Sequence, residues 1–276
     1  MGKRLFPKLY GLLSLLIALS IAFSSPVASQ NRSLGDLLQR GVQVIQLSTL
    51  SDAQEVQFGK QINQEIISSE RFTLATNPAL KAYINKIGQR LAQVSDRPQI
   101  PYTFQVIADD NINAFAIMGG FIYINTGLIR TAANESELAS VIAHEIGHVV
   151  ARHSLEQIKK AALTQGLLEA ARIDRKTWVQ LGVEIAYRLP QSRKAELEAD
   201  QLGLNNLKRA GYAPIGMITF MEKLMQKAEP PAIFSTHPPT KNRLAVLQES
   251  VNPQTARKGD GLDEIAYRRK IKTLLP

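Results

Sequence analysis

The segment Asn134-Glu135-Ser136-Glu137-Leu138-Ala139-Ser140-Val141-Ile142-Ala143-His144-Glu145-Ile146-Gly147-His148-Val149-Val150 carries the decisive pattern. Asn134 is a helix-capping residue, and Glu137 follows at the three-residue spacing of a capping box. Leu138, Val141, Ile142, Ile146, Val149 and Val150 make the helix apolar around much of its girth, so it belongs in a core. His144, Glu145 and His148 therefore need a reason to be there, because buried polar groups require partners.

Two histidines four residues apart on a helix share one face, within reach of one ion. Glu145 lies between them, where its carboxylate can take a proton from a metal-bound water and deliver it to a leaving amine. The bland alternative is a pair of satisfied core histidines. The chain has no cysteine, so a zinc site has to use His and carboxylate ligands, and thiol catalysis and disulfides are excluded. A third ligand is required. The extended pattern with a third His would place it at Ser154, and Ala151 stands where that pattern has Gly. His153 falls about half a turn from His144 and His148 on a continuous helix and reads as a surface or helix-packing residue. The stretch Ser192-Arg193-Lys194-Ala195-Glu196-Leu197-Glu198-Ala199-Asp200 offers a carboxylate instead. Glu196 and Asp200 share a face, with Glu196 as ligand and Asp200 behind it accepting the outer N–H of His144; Glu198 points elsewhere. A solvated acidic helix face is the plain alternative for this stretch, and the two-His motif decides against it.

Working outward, Ser51-Asp52 followed by Gln54-Glu55 starts a helix reaching about Glu70. Asn77-Pro78 starts another, with Leu80, Tyr83, Ile84, Ile87, Leu91 and Val94 on its apolar face. Tyr102, Phe104 and Val106 alternate as in a strand, and Asn113–Ile117 and Phe121–Asn125 read as two more around Met118-Gly119-Gly120. Gly127 to Thr131 is a helical turn. Ser154 to Tyr187 is helical, with a break near Asp174. Ser192 to Ala210, Pro214 to Lys227 and Lys241 to Ser250 are further helices. Pro230-Pro231 and Pro238-Pro239 bracket a rigid loop. The pattern supports no assignment after Val251.

Met1 to Lys8 is basic, Leu9 to Phe23 is apolar, and Ser24 to Ser29 is small and turn-forming, the layout of a secretory signal peptide with a cut near Gln30. An uncleaved anchor is the alternative, although the apolar run is shorter than the ~20 residues a spanning helix needs. This divides the chain into residues 1–29 as signal or anchor, 30–50 as an extension, 51–250 as the domain and 251–276 as a tail. It places the domain outside the cytoplasm, periplasmic or membrane-associated. Apolar residues make up 45% and charged residues 21%, ordinary for a globular protein. The net charge of +9 favours acidic partners or a membrane surface. No basic run interleaves with aromatics, so nucleic acid is not an expected partner.

Together these residues resemble the HExxH peptidase family that includes the HtpX heat-shock protease, BepA-type periplasmic proteases, mitochondrial Oma-type peptidases and CAAX prenyl proteases. The resemblance covers about Ser51 to Ser250. It rests on Asn113-Ala114-Phe115-Ala116, Gly119-Gly120, Gly127-Leu128, His144-Glu145-Ile146-Gly147-His148, Ser192-Arg193 with Glu196 and Ala199-Asp200, and His237-Pro238 with Arg243. It implies an α+β, mainly helical, gluzincin-like fold with a small sheet beside the active-site helix. It implies one Zn²⁺ per chain held by His144, His148 and Glu196, Glu145 as general base, and Asp200 and Arg243 behind the ligands. His237 would stabilise an oxyanion or occupy the open zinc position in a latent state. Phe121–Asn125 would form a sheet edge beside the cleft, so that Gly119, Gly120, Phe121, Ile122 and Tyr123 bind an extended peptide. One hydrophobic segment and no helical-repeat extension point to a compact, exported member of the family. The implied activity is endopeptidase cleavage of misfolded or damaged envelope proteins. The rival from another class is a chaperone-like or adaptor protein with a latent site.

Overall fold

The computed structural model describes residues 50–69, 72–164, 175–239 and 241–275. The signal-like segment, most of the extension after it and the break expected near Asp174 lie outside the described residues.

Capping chemistry sets the first helices. Helix α1 is Asp52–Ser68; Ser51 accepts from the Gln54 N–H, and the Gln54 side chain accepts from the Ser51 N–H at 2.9 Å, closing a capping box. Helix α2 is Pro78–Ala92, with the Asn77 side chain accepting from Ala79 and Leu80 N–H groups. The sheet follows, with β1 Thr103–Ile107, β2 Ala114–Ile117 and β3 Phe121–Asn125 in the order β1-β3-β2. Strand β3 runs parallel to β1 and antiparallel to β2. All five of its residues are buried. Ile122 and Ile124 face the larger core, Phe121 and Tyr123 the smaller one, as expected for a strand covered on both faces.

This topology corrects the expected sheet edge. Strand β3 is central and hydrogen-bonded along both sides, so an incoming peptide cannot add to it. The far side of β1 is covered too: Ala75 N–H donates to Val106 O, and Ala108 N–H to Thr73 O, each at 2.8 Å. Among the described residues the open edge belongs to β2. Asn125 N–H donates to Asn113 O at 3.0 Å; the antiparallel alternation then turns the N–H and C=O of Ala114 and Ala116 outward.

Among the described residues seven helices follow, α3 Thr126–Thr131, α4 Glu135–Val150, α5 His153–Thr164, α6 Arg175–Arg188, α7 Arg193–Arg209, α8 Ile215–Met225 and α10 Lys241–Ser250, with a single turn, α9 Ile233–Thr236, between the two proline pairs. Asn134 caps α4 by accepting from Glu137 N–H. The Glu137 carboxylate does not complete the reciprocal box. It accepts from Ala133 N–H at 2.7 Å and bonds Thr219 and Lys223 of α8. A last helix, α11 Glu264–Leu274, is capped by Asp263 and buries Tyr267 and Ile271. The Tyr267 hydroxyl donates to Ile129 O at 2.7 Å, so this stretch packs on the larger core. No helix among the described residues is long and apolar enough to cross a membrane.

Helices α4 and α7 approach closely because each presents a glycine at the crossing. A Cβ on Gly147 would lie 2.7 Å from Ala199 O, and one on Gly203 2.9 Å from the His144 Cα. Gly147 is one of the two residues between Glu145 and His148, so the helix motif itself admits the helix that brings Glu196.

Candidate active site

Helix α4 supplies His144, Glu145 and His148, and α7 supplies Glu196 and Asp200; all five are buried. His144 Nε2 and His148 Nε2 are 3.0 Å apart. His148 Nε2 lies 3.4 Å from Glu196 Oε1, and His144 Nε2 3.7 Å from Glu196 Oε2. His237, which caps the C-terminal end of α9, puts Nδ1 3.1 Å from Glu196 Oε1 and Nε2 3.6 Å from Glu145 Oε1. One ligand atom from each of His144, His148, Glu196 and His237 falls within 4.8 Å of the others.

These spacings suit a metal ion. Ligands on a tetrahedron with bonds of about 2.0–2.1 Å stand about 3.3 Å apart. The donor chemistry agrees. His144 Nδ1 is 2.9 Å from Asp200 Oδ1, and an ionised carboxylate only accepts, so the proton sits on Nδ1 and the Nε2 lone pair points inward. His148 Nδ1 is 2.9 Å from His153 Nδ1, which leaves His148 Nε2 to face the same point. With the lone pairs of both Nε2 atoms turned inward, the two rings repel at 3.0 Å unless a cation lies between them.

A family model of peptidase family M48 matches residues 78–251. The chain belongs to peptidase family M48, a metallopeptidase family. It is 36% identical over 231 residues to the beta-barrel assembly-enhancing protease of Escherichia coli (strain K12), covering 74% of this chain and 45% of that protein. It is 33% identical over 174 residues to the mitochondrial metalloendopeptidase OMA1 of Schizosaccharomyces pombe, covering 60% of this chain and 52% of that one. It is 27% identical over 252 residues to the metalloprotease LoiP of Escherichia coli (strain K12), covering 87% and 96%. The chain thus spans about half the length of the first two and nearly all of the third.

Around this M48 centre the electrostatics are layered. Burial pushes the His148 ring well below its ordinary pKa, the neutral form a metal ligand needs, and burial also lowers that of His153. Burial disfavours charge on His237 as well, yet Glu145 and Glu196 outweigh it and raise its pKa. Burial would raise the Glu196 carboxyl, but the adjoining His148 and His237 rings hold it far below the usual range. Asp200 is likewise held down against burial, by Arg243 first and then His144. Arg243 of α10 grips Asp200 through Nε and Nη2 at 2.7 and 2.8 Å and reaches Glu196 Oε2 through Nη1 at 2.5 Å. Glu145 is the exception: it is fully buried and neither of its oxygens has a hydrogen-bond partner.

The structure brings together His144, Glu145, His148, Glu196, Asp200, His237 and Arg243. It does not bring Gly119, Gly120, Phe121, Ile122 and Tyr123 to that point. Gly119, at φ 77°, packs against Val56 and Gly59 of α1, and a Cβ on Gly120 would strike Ile100. The Tyr123 hydroxyl donates to Asn63 Oδ1 at 2.6 Å. The pair of glycines is a helix-packing turn. The strand that lines the small hollow beside Glu145, His148 and His237 is β2, through Phe115 and Ala116.

Two features escaped the sequence. His153 is buried against His148, because α4 ends at Val150 and Arg152 takes a left-handed φ of 57°; half-turn arithmetic assumed an unbroken helix. An apolar hollow lined by Val141, Met217, Phe220, Leu224 and Phe234 also opens against His144 and His237. Its lining comes from three separate helical segments, which no local pattern connects.

Proposed function

We propose that this chain is a zinc-dependent endopeptidase that cleaves unfolded or damaged polypeptides of the cell envelope. The observation that carries this reading is the convergence of His144, His148 and Glu196 at tetrahedral ligand spacing, beside a buried Glu145 that keeps both oxygens free. Zinc bound there would supply Lewis acidity, lowering the pKa of a water and polarising the scissile carbonyl.

The protein groups then divide the remaining work. Glu145 accepts the proton of the attacking water and hands it to the leaving amine. His237, poised between Glu145 and Glu196, offers an N–H to the oxyanion; in a latent state the same ring is positioned to act as a fourth ligand. Asp200 holds the His144 tautomer, and Arg243 holds Asp200 and Glu196. An extended substrate pairs with the open edge of β2, through the outward amides of Ala114 and Ala116. That mode reads backbone, which suits unfolded chains of varied sequence, and the hollow at Met217, Phe220 and Phe234 favours one apolar side chain.

The relatives' names support this reading, since each is a protease and one enhances beta-barrel assembly. The signal-like Met1–Ser29 supports export to the periplasm or its membrane surface, which N-terminal sequencing of the exported protein tests. The burial of all five central groups favours a second state, a closed and latent one, in which the chain only binds. Zinc content and casein cleavage by the wild type and Glu145→Gln decide between them. An enzyme loses cleavage in the variant and keeps its zinc. Equal cleavage by both proteins refutes the mechanism.

A further inference from the structure

Asp200 accounts for the outer nitrogen of His144, but nothing in the mechanism above accounts for that of His148. The structure supplies a partner by an unusual route. Arg152 is the only non-glycine among the described residues with a positive φ, a conformation L-residues avoid. Its side chain is tied to the start of α1: Nη1 donates to Leu50 O at 3.2 Å, Nε lies 3.1 Å from Glu55 Oε2, and Nη2 contacts Asp52. Held there, Arg152 ends α4 and lets α5 begin at once with His153. The His153 ring is thereby turned back beneath His148, with centroids 4.9 Å apart and planes at 68°.

We propose that His153 is a positioning residue for His148, the middle of a relay that runs from the surface carboxylate of Glu198 to the metal centre. This rests on His148 being a metal ligand. A ligand imidazole needs its lone pair on Nε2, so His148 Nδ1 must carry the proton and donate it. His153 Nδ1, 2.9 Å away, is then the acceptor. Its own proton must sit on Nε2, which faces Glu198 Oε2 at 3.6 Å. The His148–His153 contact fixes the tautomer of both rings. Glu198 lies two residues beyond Glu196, about 200° around the helix, so one helix serves the metal from its buried face and the outer partner from its exposed one. His153 and Glu198 both line a groove of about 720 Å³ between α5 and the start of α7, so the relay ends at solvent. The two ligand histidines are thus oriented differently: His144 by a buried carboxylate, His148 by an imidazole connected to the surface.

The test is zinc affinity of the full chain, measured by competition with a chelator, for the wild type, His153→Phe, His153→Gln, Glu198→Gln and a His148→Ala control, with melting of each metal-free protein in parallel. His153→Phe should bind zinc about 10–100-fold more weakly, the usual cost of losing such an outer partner, with metal-free melting unchanged. His153→Gln, whose amide oxygen still accepts from His148, should recover most of that affinity, and Glu198→Gln should lose less than His153→Phe. His153→Phe matching the wild type overturns the relay, and so does equal loss in the Phe and Gln variants. A wild type that takes up no zinc, like His148→Ala, overturns the metal reading along with it.

Discussion

Glu55 and Glu145 are both fully buried, and the fold treats them in opposite ways. Glu55 of α1 has every acceptor engaged. Its Oε1 receives Arg97 Nη1 at 3.3 Å and Gly119 N–H at 3.4 Å, and its Oε2 lies 2.7 Å from Arg97 Nη2 and 3.1 Å from Arg152 Nε. Arg97 also donates to Val149 O at 2.9 Å, which fastens this network to the C-terminal end of α4. Glu145, on α4 itself, has neither oxygen hydrogen-bonded. A buried carboxylate with satisfied lone pairs is a fastener, whereas one with free lone pairs is costly to the fold and available to chemistry.

The contrast breaks or holds first at Glu145→Gln. Casein cleavage should fall by roughly 10²–10⁴-fold, the range for loss of a general acid–base group. Zinc content should stay at the wild-type level, and metal-free melting should not fall, since neither oxygen of the removed carboxylate is hydrogen-bonded in the fold. Retained cleavage would show that the free oxygens are not the proton acceptor.

The complementary change is Glu55→Gln. It leaves Arg97 and Arg152 with Asp52 as their one shared carboxylate, and weakening such a buried network costs up to about 3–5 kcal/mol, to be read from urea unfolding. Cleavage per folded molecule should persist. A cleavage loss comparable to that of Glu145→Gln would mean that the fastener takes part in chemistry.

What the sequence revealed follows the same division between local and assembled features. The caps at Ser51, Asn77 and Asn134 are local hydrogen bonds, and each starts its helix in the structure. The four-residue spacings of His144 with His148 and of Glu196 with Asp200 are properties of single helices, so the shared faces were legible. Sheet order was not, because pairing joins distant segments; the hint was available in the unbroken apolar run Phe121-Ile122-Tyr123-Ile124, which marks a strand covered on both faces. His153 was hidden by Arg152, since arginine is not a residue that announces a left-handed turn. Helix α11 was hidden by charge: Arg268, Arg269, Lys270 and Lys272 surround the two positions, Tyr267 and Ile271, that it buries.

Gly119 illustrates how a glycine pair suggests a binding loop and proves to be packing. A Cβ on its neighbour across the contact, Gly59, would lie 2.1 Å from Met118 O, a backbone atom that cannot rotate away. Gly59→Ala should therefore cost about 1–3 kcal/mol, typical of overpacking, while leaving zinc affinity and cleavage per folded molecule intact. Loss of substrate affinity at unchanged stability would return this turn to the binding site.

The smallest effect separates the open strand from the closed one. Ala116→Pro removes an outward N–H from β2, and proline is tolerated on an edge strand whose N–H faces away from the sheet. One hydrogen bond to an extended substrate is worth about 0.5–1.5 kcal/mol, so kcat/KM for unfolded casein should drop roughly 2- to 10-fold. A short peptide that spans only the metal centre should be cleaved as before, because it makes no bond to that strand. If long and short substrates suffer alike, the proline has disturbed the centre through Ser154, whose hydroxyl donates to Ala116 O at 3.4 Å. If neither suffers, the substrate enters along some surface other than β2, and the backbone-reading mode loses its support.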